Sequence, residues 1–584
     1  MGESVCDDPF DWAASEPDRV LFASRSGGRW QPVTAAWFAE RVNSIAAGLV
    51  ASGIAPGDRV GLLSAASLEW LACDFAIWAA GAVTVPVYET SSVEQINWVL
   101  SDSGAVAAFA GGARAEGAIR RAQLAKLETL WRMDRGGLDA LAEAGREAAT
   151  GPEVSRRRAA LTGQTLATIV YTSGSTGRPK GCMISHGNLT AAVRAIMAVP
   201  GVRERVLADD ASTLFFLPLS HILARVVALC MVRAGSRAGY LPGPGQLRRE
   251  LPVFRPTIML MVPRVLEKIV AGAREQAETA GRQRLFAAAE AAAIAYSRAA
   301  DGRRGPWLRL RHAVFGPLVY RRLRAGLGGR VGWVISGGAP LGEDTGHFLR
   351  GAGIAVLEGW GLTESTGGIT LNPPARQRIG SVGPPLPDCE ARIAADGELE
   401  IAGPTVFGGY WQDPGATAAA LNGRWLRTGD LGRIERDGFV FVTGRKKELI
   451  VTSGGKNVAP APLEERVREH WLIAECVVAG DRRPYITALV TLDPDAFIRW
   501  KRRAGKPPGA AVADLRADPD LRAAVTEAIS SANAAVSQAE SIRQFDILPT
   551  AFEIGAELTP SLKVRRHYVL EKYASEIDAL YAKP

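Results

Sequence analysis

Cysteine and histidine are scarce in this chain. Six cysteines, Cys6, Cys73, Cys182, Cys230, Cys389 and Cys476, are scattered through 584 residues without a C-x-x-C pair. That distribution argues against a zinc site or a disulfide framework and fits a reducing compartment. Six histidines in no ligand-like spacing argue against a histidine-built metal centre, so any metal is expected to be a hard cation held by carboxylate and phosphate, with magnesium the candidate. Long hydrophobic runs are missing too. LACDFAIWAAGAVTVPVY and ILARVVALCMV are interrupted by Asp74, Pro86 and Arg225, which leaves both short of a clean membrane span. The opening MGESVCDDPFDW is acidic and no basic residue precedes Arg19, unlike a secretory or mitochondrial leader, so a cytoplasmic location is expected. The formal charge of +8, from 69 basic and 61 acidic residues, is modest for this length and calls for no nucleic-acid partner.

What is present begins with YTSGSTGRPKG, Tyr171 to Gly181, directly after the apolar run LATIV. Gly174, Gly177 and Gly181 free backbone N–H groups to face an anion, Thr172, Ser173, Ser175 and Thr176 offer hydroxyls, and Lys180 adds charge. The combination suits a polyphosphate. It is not a Walker A loop, because Arg178, Pro179 and Lys180 follow Gly177 where that motif requires Gly-Lys-Ser/Thr.

A chain this long exceeds the usual limit of one hydrophobic core, which predicts a large body of several subdomains and at least one smaller unit. From Asp58 the text alternates in the α/β manner: RVGLLS, then helix-like SLEWLACDFAIWAAG, strand-like AVTVPVY, and SSVEQINWVLSDSG with a capping box at Ser92 and Gln95. AVAAFA, LATIVY, STLFFLP and TIMLMVP read as further strands of a largely parallel, doubly wound sheet. Roughly Val265 to Ala300, alanine- and arginine-rich and free of proline, reads as one helix. About residues 390–443 the pattern turns to short strands and turns, as in GELEIAG and DGFVFVTGR, predicting a β-rich subdomain. The domain boundary is placed at Gly444, giving a large domain 1–444 and a mixed α+β domain 445–584.

Four further passages accompany the glycine loop: ISGGAPL, EGWGLTES, RTGDLGRIERDGFVFVTGRKKELI and LTPSLKVRR. In order and spacing the five resemble the AMP-forming acyl-CoA synthetases of the adenylate-forming enzyme superfamily. GDRVGLLS, DFAIWAAGAVTVPVYETSS, FFLPLSHIL and LTPSLKVRR look most like the long-chain fatty-acid CoA ligase branch. The resemblance implies ATP-dependent ligation of a fatty acid to coenzyme A through an acyl-adenylate, with ATP, Mg²⁺ and coenzyme A required. Loading of a carrier protein instead of CoA, and a non-catalytic nucleotide- or lipid-binding homologue, are the alternatives.

By the same resemblance, Thr172, Ser173, Gly174, Ser175, Thr176, Gly177 and Lys180 hold the β- and γ-phosphates, Thr363 donates to the α-phosphate, and Glu364, with Thr176, anchors Mg²⁺. Trp360 offers an aromatic face to adenine, with core packing as its alternative role, while Gly338, Ala339 and Pro340 approach the other side of the base. Asp430 accepts the ribose hydroxyls, assisted by Arg445. Lys563 bridges the attacking carboxylate and the α-phosphate. Lys447 is the hinge about which the small domain turns, carrying Ser453–Asn457, with Gly455, to line a pantetheine tunnel. His221 borders the carboxylate and the thiol entry, with a purely structural histidine as the alternative. The chain departs from the family at Ala224, where long-chain members commonly carry glutamate before the arginine. Walls of the acyl pocket are expected near Phe215 and Pro263. Long acyl chains partition into bilayers, which fits peripheral membrane contact. The basic residues crowded between Arg303 and Arg330 read as a solvated, salt-bridged helical face, with anionic lipid or CoA phosphates as the alternative use.

Overall fold

A computed structural model describes residues 4–172, 178–299, 304–454, 456–559 and 563–582. Two mostly parallel sheets build the large domain. One has eight strands, in the spatial order Thr370–Leu371, Ala355–Trp360, Trp333–Ser336, Ile258–Leu260, Ser212–Phe215, Arg237–Tyr240, Val20–Ser26 and Arg29–Thr34. The other has six, in the order Thr129–Arg132, Ala107–Ala110, Arg59–Leu63, Val83–Val87, Leu166–Thr172 and Lys180–Ser185. Antiparallel pairing is confined to strands near the ends: Val20–Ser26 with Arg29–Thr34, Ala355–Trp360 with Thr370–Leu371, and Leu166–Thr172 with Lys180–Ser185.

Helix Leu68–Ala79 is buried along nearly its whole length, as is Ile222–Arg233. An all-round apolar helix requires packing on every side, and these two helices contribute to one core that also takes side chains from both sheets. A bidentate ion pair crosses this apolar layer. Arg225 donates through Nε to Asp74 Oδ2 at 2.7 Å, through Nη2 to Asp74 Oδ1, and through Nη1 to Thr168 Oγ1 at 2.8 Å. Both charged residues are inaccessible to solvent, and the guanidinium lies over the rings of Trp70 and Trp78. Ala224, the departure from the family pattern, is 2% exposed, so a glutamate there would need a partner of its own.

The capping box forms as predicted, on helix Val93–Asp102. The single helix expected from Val265 to Ala300 is instead two, Pro263–Thr279 and Gln283–Arg298. The break falls at Gly281, whose φ of +67° ends the first helix in the left-handed conformation that glycine adopts without steric cost. Residues Glu390 to Arg445 form a five-stranded antiparallel sheet.

Beyond it the chain builds a small α+β unit around the three-stranded sheet Ile473–Ala479, Ile486–Leu492 and Ile542–Ile547, with its own hydrophobic clusters. Three ion pairs join this unit to the large domain. Arg264 faces Glu475 at 3.8 Å, Arg499 pairs with Glu275 at 3.1 Å, and Arg503 pairs with Glu278. A polar, charge-bridged contact of this kind permits relative motion more readily than an apolar one. No described helix is long and apolar enough to cross a membrane.

Candidate active site

Parallel strands bring the separate motifs to one edge. Trp333–Ser336 and Ala355–Trp360 run side by side with Ser336 opposite Glu358, so ISGGAPL and EGWGLTES both leave the sheet at strand C-termini. His221 follows strand Ser212–Phe215 of the same sheet. The crevice beyond carboxyl ends is where open α/β sheets bind ligands. Gly337 turns tightly there, with the point a β-carbon would occupy 3.0 Å from the Gly359 carbonyl and 3.4 Å from Leu223 Cδ2. Gly338 follows with φ +87°, and Ala339 and Pro340 are exposed along the opening.

Lys563 reaches this turn from the small domain. Its Cε and Nζ lie 3.4 and 3.7 Å from where a β-carbon on Gly338 would stand. The residue is exposed overall, yet its ammonium end is enclosed by the cleft. Burial, then the charge of Arg445, lowers its pKa, and Asp430 opposes that shift. His221 is close enough to feel the same ammonium: burial first and Lys563 second bring its pKa down to about 4. Its Nδ1 accepts the Leu223 N–H at 3.3 Å as the N-cap of helix Ile222–Arg233. A neutral ring with Nδ1 accepting carries its proton on Nε2. The residue is thus a structural cap and a neighbour of Lys563 at once.

Asp430, 3% exposed, has both oxygens engaged. Trp360 Nε1 donates to Oδ2 at 2.7 Å, and Arg445 Nε pairs with Oδ1 at 2.7 Å. Burial raises its pKa, with Arg445 and Trp360 working against that rise. A carboxylate offers about four lone-pair sites, so two remain for further donors. Trp360 is half-buried and packs against the small cluster of Ile369, Ile401, Phe407 and Leu426, so its indole combines core packing with a polar contact that the sequence reading did not foresee.

Glu364 stands in the short 3-10 turn Thr363–Ser365, and its Oε1 accepts the hydroxyl of Tyr410 at 2.7 Å. Lys180 lies 5.4 Å from the centre of the Tyr410 ring and 3.5 Å from Asp413 Oδ2. Cys182, fully buried, lies close enough to feel the charge of Glu364. The stem of the glycine loop and the acidic residue of GLTES therefore share one corner. That loop joins two antiparallel strands, with Thr172 opposite Lys180, whereas a Walker A loop leads into a helix.

Ser173, Gly174, Ser175, Thr176, Gly177 and Gly455 lie outside the described residues. Two members of the opening motif serve the sheet instead of an anion. Tyr171 donates to Asp102 Oδ2 at 2.5 Å, and a β-carbon on Gly181 would stand 2.7 Å from Ile169 Cγ2, so glycine there permits close packing. Phe215 and Pro263 are both buried, Phe215 stacked on Tyr240 at 5.3 Å. Sequence reasoning missed Tyr410, Asp413 and Glu358. Glu358 is 8% exposed and accepts the Leu341 N–H at 3.3 Å, tying the strand to the GGAPL turn. Burial, with Glu465 and Glu343 adding to it, pushes Glu358 up to about 8. Its position at the head of EGWGLTES was the available signal.

Among the described residues no group of three or more His, Cys, Asp or Glu is placed to hold a metal. A single carboxylate, Glu364, suits magnesium, which keeps much of its shell for water and phosphate oxygens.

Comparison with known proteins accords with this geometry. The profile of the AMP-binding enzyme family matches residues 10–411, and that of the AMP-binding enzyme C-terminal domain matches residues 447–584. The chain belongs to the AMP-binding enzyme family. It is 47% identical over 582 residues to the long-chain-fatty-acid–CoA ligase FadD15 of Mycobacterium bovis, covering 98% of this chain and 96% of that one. The long-chain-fatty-acid–CoA ligase ACSBG2 of Xenopus laevis is 28% identical, over 97% of this chain and 82% of that protein. Among solved structures, the adenylation domain of a carboxylate reductase from Mycobacterium chelonae superposes with TM-score 0.75 at 22% identity, covering 99% of this chain and 91% of the other. ATP-bound MatB from Rhodopseudomonas palustris gives 0.71 at 22%, covering 98% and 99%. At these identities the two structures speak to the fold of this family member.

Proposed function

We propose that this family member is an AMP-forming long-chain fatty-acid CoA ligase, with a large domain 1–444 and a mobile domain 445–584 pivoting near Lys447. The observation that carries the reading is Lys563 of the small domain seated at Gly338, over the Asp430–Arg445 pair. FadD15, at 47% identity over nearly both chains, supports a long-chain acid as substrate.

A carboxylate is a poor nucleophile toward an anionic phosphate, so the site must neutralise charge and align oxygen with phosphorus. Asp430, held in plane by Trp360 and Arg445, receives the ribose hydroxyls on its remaining lone pairs. Lys180 and the loop of Thr172, Ser173, Gly174, Ser175, Thr176 and Gly177 take the β- and γ-phosphates, and Thr363 the α-phosphate. Glu364, steadied by Tyr410, with Thr176, would hold Mg²⁺, which when bound screens the phosphate charges. Lys563 meets the acid and the α-phosphate together, and the negative charge they bring favours its protonated form against the cleft's desolvation. The carboxylate oxygen attacks the α-phosphorus, and pyrophosphate leaves.

A thiol must then reach the acyl carbon from the side Lys563 occupies, which calls for rotation of the small domain. In the present arrangement Lys456 is held within that domain against Glu540 at 3.3 Å, and the Ser453 N–H on the Arg483 carbonyl at 2.9 Å. Rotation would bring residues 453–457, with Gly455, to the pantetheine arm. The sulfur attacks, and AMP departs. His221, neutral over the working pH range, borders that entry without adding a competing charge.

Incubation with ATP, Mg²⁺, CoA and fatty acids of graded length, read by product mass, is expected to give acyl-CoA, AMP and pyrophosphate. Absence of acyl-CoA across the whole series would reject the proposal. Presenting CoA together with a phosphopantetheinylated carrier protein separates the carrier-loading alternative, for which acyl-carrier would dominate. A cytoplasmic location accompanies this reading, on the reduced state implied by the scattered cysteines.

A further inference from the structure

Helix Pro306–Phe315 has one face fastened to the protein and one face open. On the inner side His312 Nε2 donates to the Gly351 carbonyl at 2.7 Å and its ring stacks on Tyr296 at 3.8 Å. Just beyond the helix, Tyr320 donates to the Ala289 carbonyl at 2.8 Å, and Val319 and Leu323 are buried. The outer side carries Trp307 at 75% exposure, Leu310 at 57%, Val314 at 51% and, in the following turn, Leu318 at 43%. At about 100° per residue the first three fall within an arc of roughly 60°. Scattered apolar residues on a surface need no explanation, but four large ones aligned on one anchored element do.

The charge along this stretch of chain has one sign. Residues 304–330 contain seven arginines and no Asp or Glu. Arg309, Arg311, Arg321 and Arg322 are exposed, and among the described residues none of the four has a carboxylate partner, in contrast to Arg298, paired with Asp344, and Arg330, paired with Asp210. The salt-bridged face expected from the sequence is therefore absent over this helix. Free phosphate or CoA would account for the arginines and leave the apolar stripe without a purpose. An acidic bilayer accounts for both, with the aromatic and aliphatic side chains entering the acyl boundary and the guanidinium groups meeting lipid phosphates.

We propose that helix Pro306–Phe315 and the turn after it form a rigid docking surface for anionic lipid bilayers. The surface holds the enzyme at the membrane by shallow insertion of Trp307, Leu310, Val314 and Leu318.

Flotation with vesicles of pure phosphatidylcholine, and with vesicles containing about a third phosphatidylglycerol, tests this. The intact protein is expected to float with the anionic vesicles, to be released by salt, and to stay below the neutral ones. Two variants separate the contributions: Leu310→Asp with Val314→Asp, and Arg311→Glu with Arg322→Glu. Each is expected to weaken binding at least about tenfold while keeping the circular dichroism and melting temperature of the parent. No flotation by the parent overturns the proposal, as does parent-like flotation of either variant. Self-association of the parent that the Asp variant abolishes, without vesicle binding, overturns it in favour of a protein interface. The readout needs no turnover, so it is independent of the ligase assignment.

Discussion

Trp360 holds Asp430 by an indole N–H···Oδ2 hydrogen bond of 2.7 Å, and Arg445 holds the other oxygen at the same distance. The carboxylate proposed to read the ribose is thereby fixed in its plane before nucleotide arrives. Trp360→Phe keeps an aromatic ring and loses the donor. A hydrogen bond to a charged group is worth about 1.5–3 kcal/mol, so the KM for ATP is expected to rise roughly tenfold or more, with a smaller change in kcat. A Phe variant with unchanged KM would mean that only the ring face matters.

Tyr410 bears on the proposed magnesium ligand in the same manner, through its 2.7 Å hydrogen bond to Glu364 Oε1. Tyr410→Phe leaves Glu364 free to rotate. The expected result is an increase of about tenfold in the magnesium concentration giving half-maximal pyrophosphate exchange, on the scale seen when the hydrogen-bond partner of a metal ligand is altered, with ATP affinity measured without metal little affected. Equal losses with and without magnesium would assign Tyr410 to packing alone.

Arg225 and Asp74 tie the two buried helices across the core. Breaking a buried pair strands one charge, at a cost of about 3–5 kcal/mol. Arg225→Met is therefore expected to lower stability by that amount in urea unfolding, and Arg225→Met with Asp74→Leu to recover much of it. Because His221 accepts the first hydrogen bond of the same helix, from the Arg225 N–H at 3.2 Å, the single variant should lower kcat as well.

Glu358 of the large domain is pushed up to about 8, in part by the charge of Glu465 across the domain contact, and Glu465 of the small domain is pushed up to about 7. Burial is the leading cause for both. Glu343, Glu267 and Glu469 add to the rise at Glu465, while Arg468 opposes it. A carboxyl whose pKa is higher when docked stabilises the docked form at low pH, and that contribution is lost as pH rises through the docked values. The small domain should therefore loosen as pH rises from about 5 to 8, read as faster trypsin cleavage at Lys446 and Lys447. Glu465→Gln should flatten the profile; an unchanged profile would remove this interface from the pH response.

Much of this was legible in the chain. Strand periodicity and the Ser92–Gln95 box predicted local structure correctly because each is a contact over a few residues. YTSGSTGRPKG, ISGGAPL and EGWGLTES each follow a strand of sheets whose order the sequence pattern implies only in class, whereas Asp430 lies within the antiparallel strand Trp425–Ile434 and Lys563 comes from the small domain. The stretch Val265 to Ala300 read as one helix because a glycine such as Gly281 in an alanine-rich run weakens a helix without fixing whether it breaks. The partners of Asp430 and Glu364 were hidden for another reason: Trp360 and Tyr410 are separated from them by 70 and 46 residues, and no local pattern encodes such pairs.

The central claim is that Lys563 acts while acid joins AMP and must leave before sulfur displaces AMP. Lys563→Ala, assayed in separate half-reactions, tests it most directly. Fatty-acid-dependent pyrophosphate exchange is expected to fall by a factor on the order of a thousand, the scale of a lost charge-stabilising donor, while thioester formation from supplied acyl-adenylate and CoA stays within about threefold of the parent. Equal loss in the two half-reactions, or exchange that survives, would contradict the account.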